Sequence, residues 1–91
     1  MPVNSTIYIV DDDEAVRDSL TALLAANGYR IETFSSGDEF MKEVEPSWRG
    51  CIILDVRMPG LSGPQVQEKL TERQNKLPVI IVTGKDRKRV V

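Results

Sequence analysis

The 91-residue chain reads as an α/β protein built on a doubly wound parallel sheet, and three observations predict this. Four short runs rich in apolar and β-branched residues recur along it: Ile7–Val10, Tyr29–Phe34, Cys51–Leu54 and Leu77–Val82. Between them lie segments with apolar residues at helical spacing or with helix-capping signatures. The connections are short throughout. Strand and helix alternating in this way imply parallel strands joined by right-handed crossovers.

Each element has its own warrant. Ile7-Tyr8-Ile9-Val10 is a strand that ends in Asp11-Asp12-Asp13-Glu14. Val16, Leu20, Leu23 and Leu24 then fall at i, i+4, i+7 and i+8, the apolar stripe of a helix. One aspartate of the cluster is expected as its N-cap, and Asn27-Gly28 closes it. Tyr29–Phe34 mixes Ile31 and Thr33 with Arg30 and Glu32, a pattern suited to a sheet edge. Ser36-Gly-Asp-Glu39 has capping-box spacing and starts a short helix with Phe40, Met41 and Val44 on its apolar side, stopped by Pro46. Trp48 is expected as a partly buried lid on the core.

Cys51-Ile52-Ile53-Leu54 is an uninterrupted apolar run, expected to be buried on both faces, and it runs straight into Asp55. Pro59-Gly60 turns the chain, and Ser62-Gly-Pro-Gln65 is a second capping-box spacing, with Val66 and Leu70 facing inward on the third helix. Leu77–Val82 is the last strand, followed by Thr83-Gly84.

Composition narrows the function classes. Hydrophobic residues at 41% and charged residues at 29% describe one ordinary globular domain. No apolar run reaches the roughly 18 residues of a membrane span, and the N-terminus has no signal-peptide pattern. Cys51 is the single cysteine, so no intrachain disulfide can form, which fits a reducing, cytoplasmic setting. The chain divides into an acidic domain over residues 1–84, with a net charge of −5, and a basic tail over residues 85–91. An acidic body argues against direct nucleic-acid binding by this domain. Histidine is absent, so any metal chemistry must use oxygen ligands, of the kind that suit Mg²⁺.

In a parallel sheet the C-terminal ends of neighbouring strands meet at one rim, where ligands gather. The first strand brings Asp11 and Asp12 there, the third brings Asp55 and the fourth Thr83. Carboxylates so close raise one another's pKa and oppose folding unless a cation joins them. A Mg²⁺ ion would do so and leave coordination positions for a phosphate. A carboxylate beside such a metal can attack phosphorus, and the Thr83 hydroxyl could hydrogen-bond a phosphoryl oxygen.

Ile-Val-Asp11-Asp12-Asp13-Glu14, Leu54-Asp55-Val-Arg57-Met58-Pro59-Gly60-x-Ser-Gly63 and Val82-Thr83-Gly84 together resemble the receiver domain of two-component response regulators. The nearest likeness is to the receivers that precede a helix-turn-helix output domain. The resemblance covers residues 6–84 and implies a flavodoxin-like fold, with four strands in the order 2-1-3-4 and three helices here. It implies phosphorelay signalling that controls transcription. Asp55 would accept a phosphoryl group from a sensor histidine kinase, with Asp11, Asp12, Asp55 and the backbone carbonyl of Arg57 holding Mg²⁺ and Thr83 as the switch hydroxyl. Asp13 and Glu14 match no site position and are expected at the helix cap.

The chain departs from that family after Thr83-Gly84: a fourth helix, a fifth strand with its phosphate-binding Lys, and a fifth helix have no counterpart. The expectation is therefore a receiver truncated after its fourth strand, whose Val79–Val82 edge pairs with a second copy in a homodimer. Two other function classes compete. One is an interaction module that binds a kinase or another receiver without switching. The other is a Mg²⁺-dependent phosphohydrolase, but such enzymes want a second Asp two residues after the first, where this chain has Arg57. No phosphate-cradling glycine loop supports a nucleotide enzyme. The domain is thus expected to catalyse only its own phosphorylation and dephosphorylation.

Overall fold

A computed structural model describes residues 5–82. Along the chain the elements are β1 (Thr6–Val10), α1 (Glu14–Ala26), β2 (Ile31–Phe34), α2 (Gly37–Glu43), β3 (Gly50–Asp55), α3 (Gly63–Glu72) and β4 (Val79–Val82). The four strands form one sheet in the order β2-β1-β3-β4, and every pairing is parallel. The doubly wound expectation and its strand order both hold.

Side chains alternate across the strands, so each strand divides its residues between two faces. Tyr8, Val10, Ile52 and Leu54 point to one face and meet Phe40 and Met41 of α2 and Val66 and Leu70 of α3, all buried. Trp48 closes this core from the side. Its indole lies parallel to the Tyr8 ring at 4.5 Å, with an angle of 5° between them, while Phe34 and Phe40 meet edge to face at 5.2 Å. The two helices start as the sequence predicts. Ser62 accepts from Gln65 N, and the Gln65 side chain returns the bond to Ser62 N. At α2 the box is only half made: Ser36 Oγ accepts from Glu39 N, but the Glu39 carboxylate accepts from Ser35 N instead.

The other face carries Ile7 and Ile9, both buried, and is left to α1. Here two expectations need correction. Leu23 is 61% exposed although its spacing put it on the stripe. At about 100° per residue the half-buried positions Val16, Arg17, Leu20, Thr21 and Leu24 centre between Leu20 and Leu24, and Leu23 falls on the flank. Arg17 belongs to the sheet-facing side because its Nη1 donates to the Asp11 carbonyl at 2.6 Å. The second correction concerns β3: Ile52 and Leu54 are buried, but Cys51 and Ile53 are only half-buried. Among the described residues one helix covers that face and two cover the other.

Candidate functional site

β1 and β3 are neighbours in register, with Val10 beside Leu54. The residues that follow, Asp11 and Asp55, therefore emerge side by side at the C-terminal rim. One carboxylate oxygen from each of Asp11, Asp12 and Asp55 lies within 4.8 Å of the other two. Asp11 and Asp55 are buried, at 4% and 2% exposure, whereas Asp12 is exposed.

The surrounding backbone holds this trio in place. Asp11 N donates to Phe34 O at 3.1 Å, and Asp11 Oδ1 accepts from Asp13 N at 2.9 Å. Asp13 is the N-cap of α1 and accepts from Ala15 N, with Glu14 in the first turn. The four-acid run thus splits as the sequence suggests, two residues to the rim and two to the cap. On the other side Asp55 ends β3, and Val56 N donates to Val82 O at 3.2 Å.

Arg57 is exposed in the loop that follows Asp55, and the buried Met58 beside it anchors that loop in the core. Gly63 closes the loop: its N–H donates to Val56 O at 3.0 Å, and a Cβ there would collide with the Asp55 carbonyl. Spacing arguments read Gly63 merely as a residue of the first helical turn. Its requirement for close approach has no local sequence signal, because the partner is backbone eight residues earlier. Thr83, the fourth expected rim residue, lies outside the described residues and follows Val82, the register partner of Asp55.

The donor set suits a small hard cation. Neighbouring ligand oxygens around octahedral Mg²⁺ sit about 3 Å apart and opposite ones about 4.2 Å, so oxygens within 4.8 Å need only a slight inward adjustment. Other chemistry is disfavoured nearby. Burial pushes the Cys51 thiol above its ordinary value, which keeps it protonated and a poor nucleophile at neutral pH. Burial likewise raises the Tyr8 phenol, whose hydroxyl donates to Arg49 O. Among the described residues no helix is long and apolar enough to cross a membrane.

Known proteins resemble this chain in sequence and fold. The family model for the response regulator receiver domain matches residues 7–91. The response regulator protein TmoT of Ectopseudomonas mendocina is 48% identical over 80 residues, which make up 88% of this chain and 36% of TmoT. The transcriptional regulatory protein FixJ of Azorhizobium caulinodans is 40% identical over 84 residues, 92% of this chain and 40% of FixJ. The chain therefore spans about two fifths or less of the length of these relatives. Among solved structures, the response regulator TrrA of Thermotoga maritima, in complex with Mg²⁺-BeF, superposes with a TM-score of 0.79 at 32% identity, covering 87% of this chain and 69% of TrrA. With the sheet order, the aspartate rim and the family match in agreement, the chain belongs to the response regulator receiver domain family, a signalling family of two-component systems.

Proposed function

We propose that this domain accepts a phosphoryl group on Asp55 from a sensor histidine kinase, in a Mg²⁺-dependent reaction, as the receiving half of a regulator of transcription. The observation that carries the reading is the trio of Asp11, Asp12 and Asp55, brought together within 4.8 Å by two neighbouring parallel strands. A carboxylate oxygen of Asp55 attacks phosphorus, the new O–P bond forms as the N–P bond of the phosphohistidine breaks, and the imidazole leaves with its electron pair and takes up a proton. Asp11, Asp12, Asp55 and the Arg57 carbonyl would hold the metal, which when bound offsets the charge on the phosphoryl oxygens. The Thr83 hydroxyl would hydrogen-bond a phosphoryl oxygen. The Mg²⁺ in the TrrA complex supports the choice of metal. The setting is cytoplasmic, and the domain acts on no substrate beyond its own phosphoryl group.

The test is intact-mass measurement after incubation with a small phosphodonor and Mg²⁺. The wild-type protein should gain one phosphoryl group, and Asp55→Asn should gain none while melting cooperatively. Equal labelling of the variant would overturn the assignment.

We also propose that copies of this chain associate through β4. Among the described residues β4 has one strand neighbour, β3, and Ile80 and Ile81 are 52% and 39% exposed. Exposed apolar side chains on a strand at the edge of the described sheet favour addition of a second strand.

A further inference from the structure

At the far end of the strands from the three aspartates lies a second concave site. β3 has six residues, so this end is about 16 Å from Asp55 at the usual rise per residue. Gly50 at the start of β3, Pro78 just before β4, and the chain leaving α2 and α3 line a cleft of about 460 Å³. Its charge is one-sided. Arg49, Arg73 and Lys76 line it beside Trp48, Val44 and Leu77, and among the described residues no carboxylate lies on its wall. In a domain that carries net negative charge over residues 1–84, that concentration calls for an explanation.

Structural roles account for part of it. Arg73 Nη1 donates to Met41 O at 3.1 Å and so satisfies a carbonyl in the last turn of α2. α2 and α3 both direct their C-terminal ends here, each equivalent to about −0.5 charge. Among the described residues the wall carries three full positive charges and no carboxylate, so helix ends account for only part of the arrangement.

We propose that this cleft binds a small organic anion, a phosphate, phosphonate or carboxylate attached to an apolar body. The volume falls within the range of small-molecule sites. The groups are held ready: Arg49 Nη1 donates to Ser47 O and Trp48 O at 3.2 and 3.4 Å, and Arg73 is tethered as above. Each guanidinium has five donors in a planar fork, so both tethered arginines retain donors for an acid group. Trp48 is fixed by its stack on Tyr8 and supplies, with Val44 and Leu77, the apolar wall. After α3 the chain turns through Gln74 at φ 58°, and Asn75 Oδ1 accepts from Leu77 N at 3.0 Å. That tight turn sets Lys76 on the wall. Neither Asp55 nor the metal rim contributes a residue, so the inference stands apart from the phosphoacceptor reading.

Trp48 is the single tryptophan, so its fluorescence reports occupancy of the cleft. The full chain is titrated at constant ionic strength with phenylphosphonate, inorganic phosphate and benzyl alcohol. Phenylphosphonate should give a saturable change, phosphate a weaker one and the neutral alcohol none. Arg49 and Lys76 are exposed, so the Arg49→Gln/Lys76→Gln double variant should melt like wild type yet bind phenylphosphonate about tenfold more weakly, a loss of about 1.4 kcal/mol. Asp55→Asn should bind as wild type does. A change that never saturates, unaltered affinity in the double variant, or benzyl alcohol binding as well as phenylphosphonate overturns the proposal. Phosphate matching phenylphosphonate overturns the apolar half of the assignment.

Discussion

The two faces of the sheet carry unequal loads. On the α2/α3 face Phe40, Ile52, Leu54 and Val66 are fully buried, and four of the five aromatic residues gather there. On the α1 face only the central strand is well covered. Ile7 and Ile9 are buried, but Cys51 and Ile53 are half-buried, Ile80 is exposed and α1 has no buried residue. In a chain this short the difference decides where stability resides. One face holds the packed core, and among the described residues the other is shielded by α1 alone, which buries no residue completely. The rim chemistry lies at the ends of the two central strands, β1 and β3, and is positioned by the pairing between them.

Truncating one apolar side chain on each face measures this inequality most directly. Phe40→Ala removes a fully buried ring that meets Phe34, Tyr8 and Trp48, and should cost about 3–5 kcal/mol. That is a large share of the stability of a small domain. Leu23→Ala removes a smaller apolar group from the exposed flank of α1 and should stay within about 0.5 kcal/mol. Denaturant melts of the two variants provide the check. Similar losses would mean that α1 packs against the sheet far more closely than its exposure indicates.

The incompletely covered face also bears on association. Ile80 lies beside Ile53 in the β3–β4 register and is exposed on the side that α1 leaves open. Light scattering across a concentration series should show the wild-type chain growing in average mass, and Ile80→Lys should suppress that growth, because a charge on an edge strand opposes strand addition. A wild-type protein that stays monomeric at every concentration would remove β4 from consideration as an interface.

Much of this arrangement is legible in residue order, and the exceptions have physical causes. Parallel pairing follows from strand–helix alternation, and Asp55 at a strand end follows from the apolar run before it. Asp13 as a cap and Asp11 with Asp12 at the rim also emerge, because four adjacent acids exceed what one helix start can use. Leu23 is misplaced because a four-residue stripe does not fix which of its edges faces the sheet; Arg17, tied to the Asp11 carbonyl, rotates the buried side away from it. The half-open second face escapes local pattern because coverage depends on how many helices reach it. The basic cleft gathers residues 49, 73 and 76 from two separate turns, a juxtaposition that only the folded sheet creates.

The smallest effect expected concerns the rim, where three carboxylates lie close together. Asp12 is the exposed member of the trio, and its carboxylate faces the two buried ones within 4.8 Å. Without metal, removing its charge relieves repulsion, so Asp12→Ala should be more stable than wild type by about 0.5–1 kcal/mol, the scale of a solvent-screened surface interaction. In a domain of this size that corresponds to a rise in Tm of roughly 2–8 °C. Millimolar Mg²⁺ should reverse the ranking: wild type gains stability by binding the ion in its folded state only, while the variant lacks a ligand and gains little. Thermal melts of both proteins with and without Mg²⁺ separate the two contributions. A variant that Mg²⁺ stabilises as strongly as wild type would exclude Asp12 from the metal site. A variant no more stable than wild type without metal would show that repulsion among the three carboxylates is already offset in the folded protein.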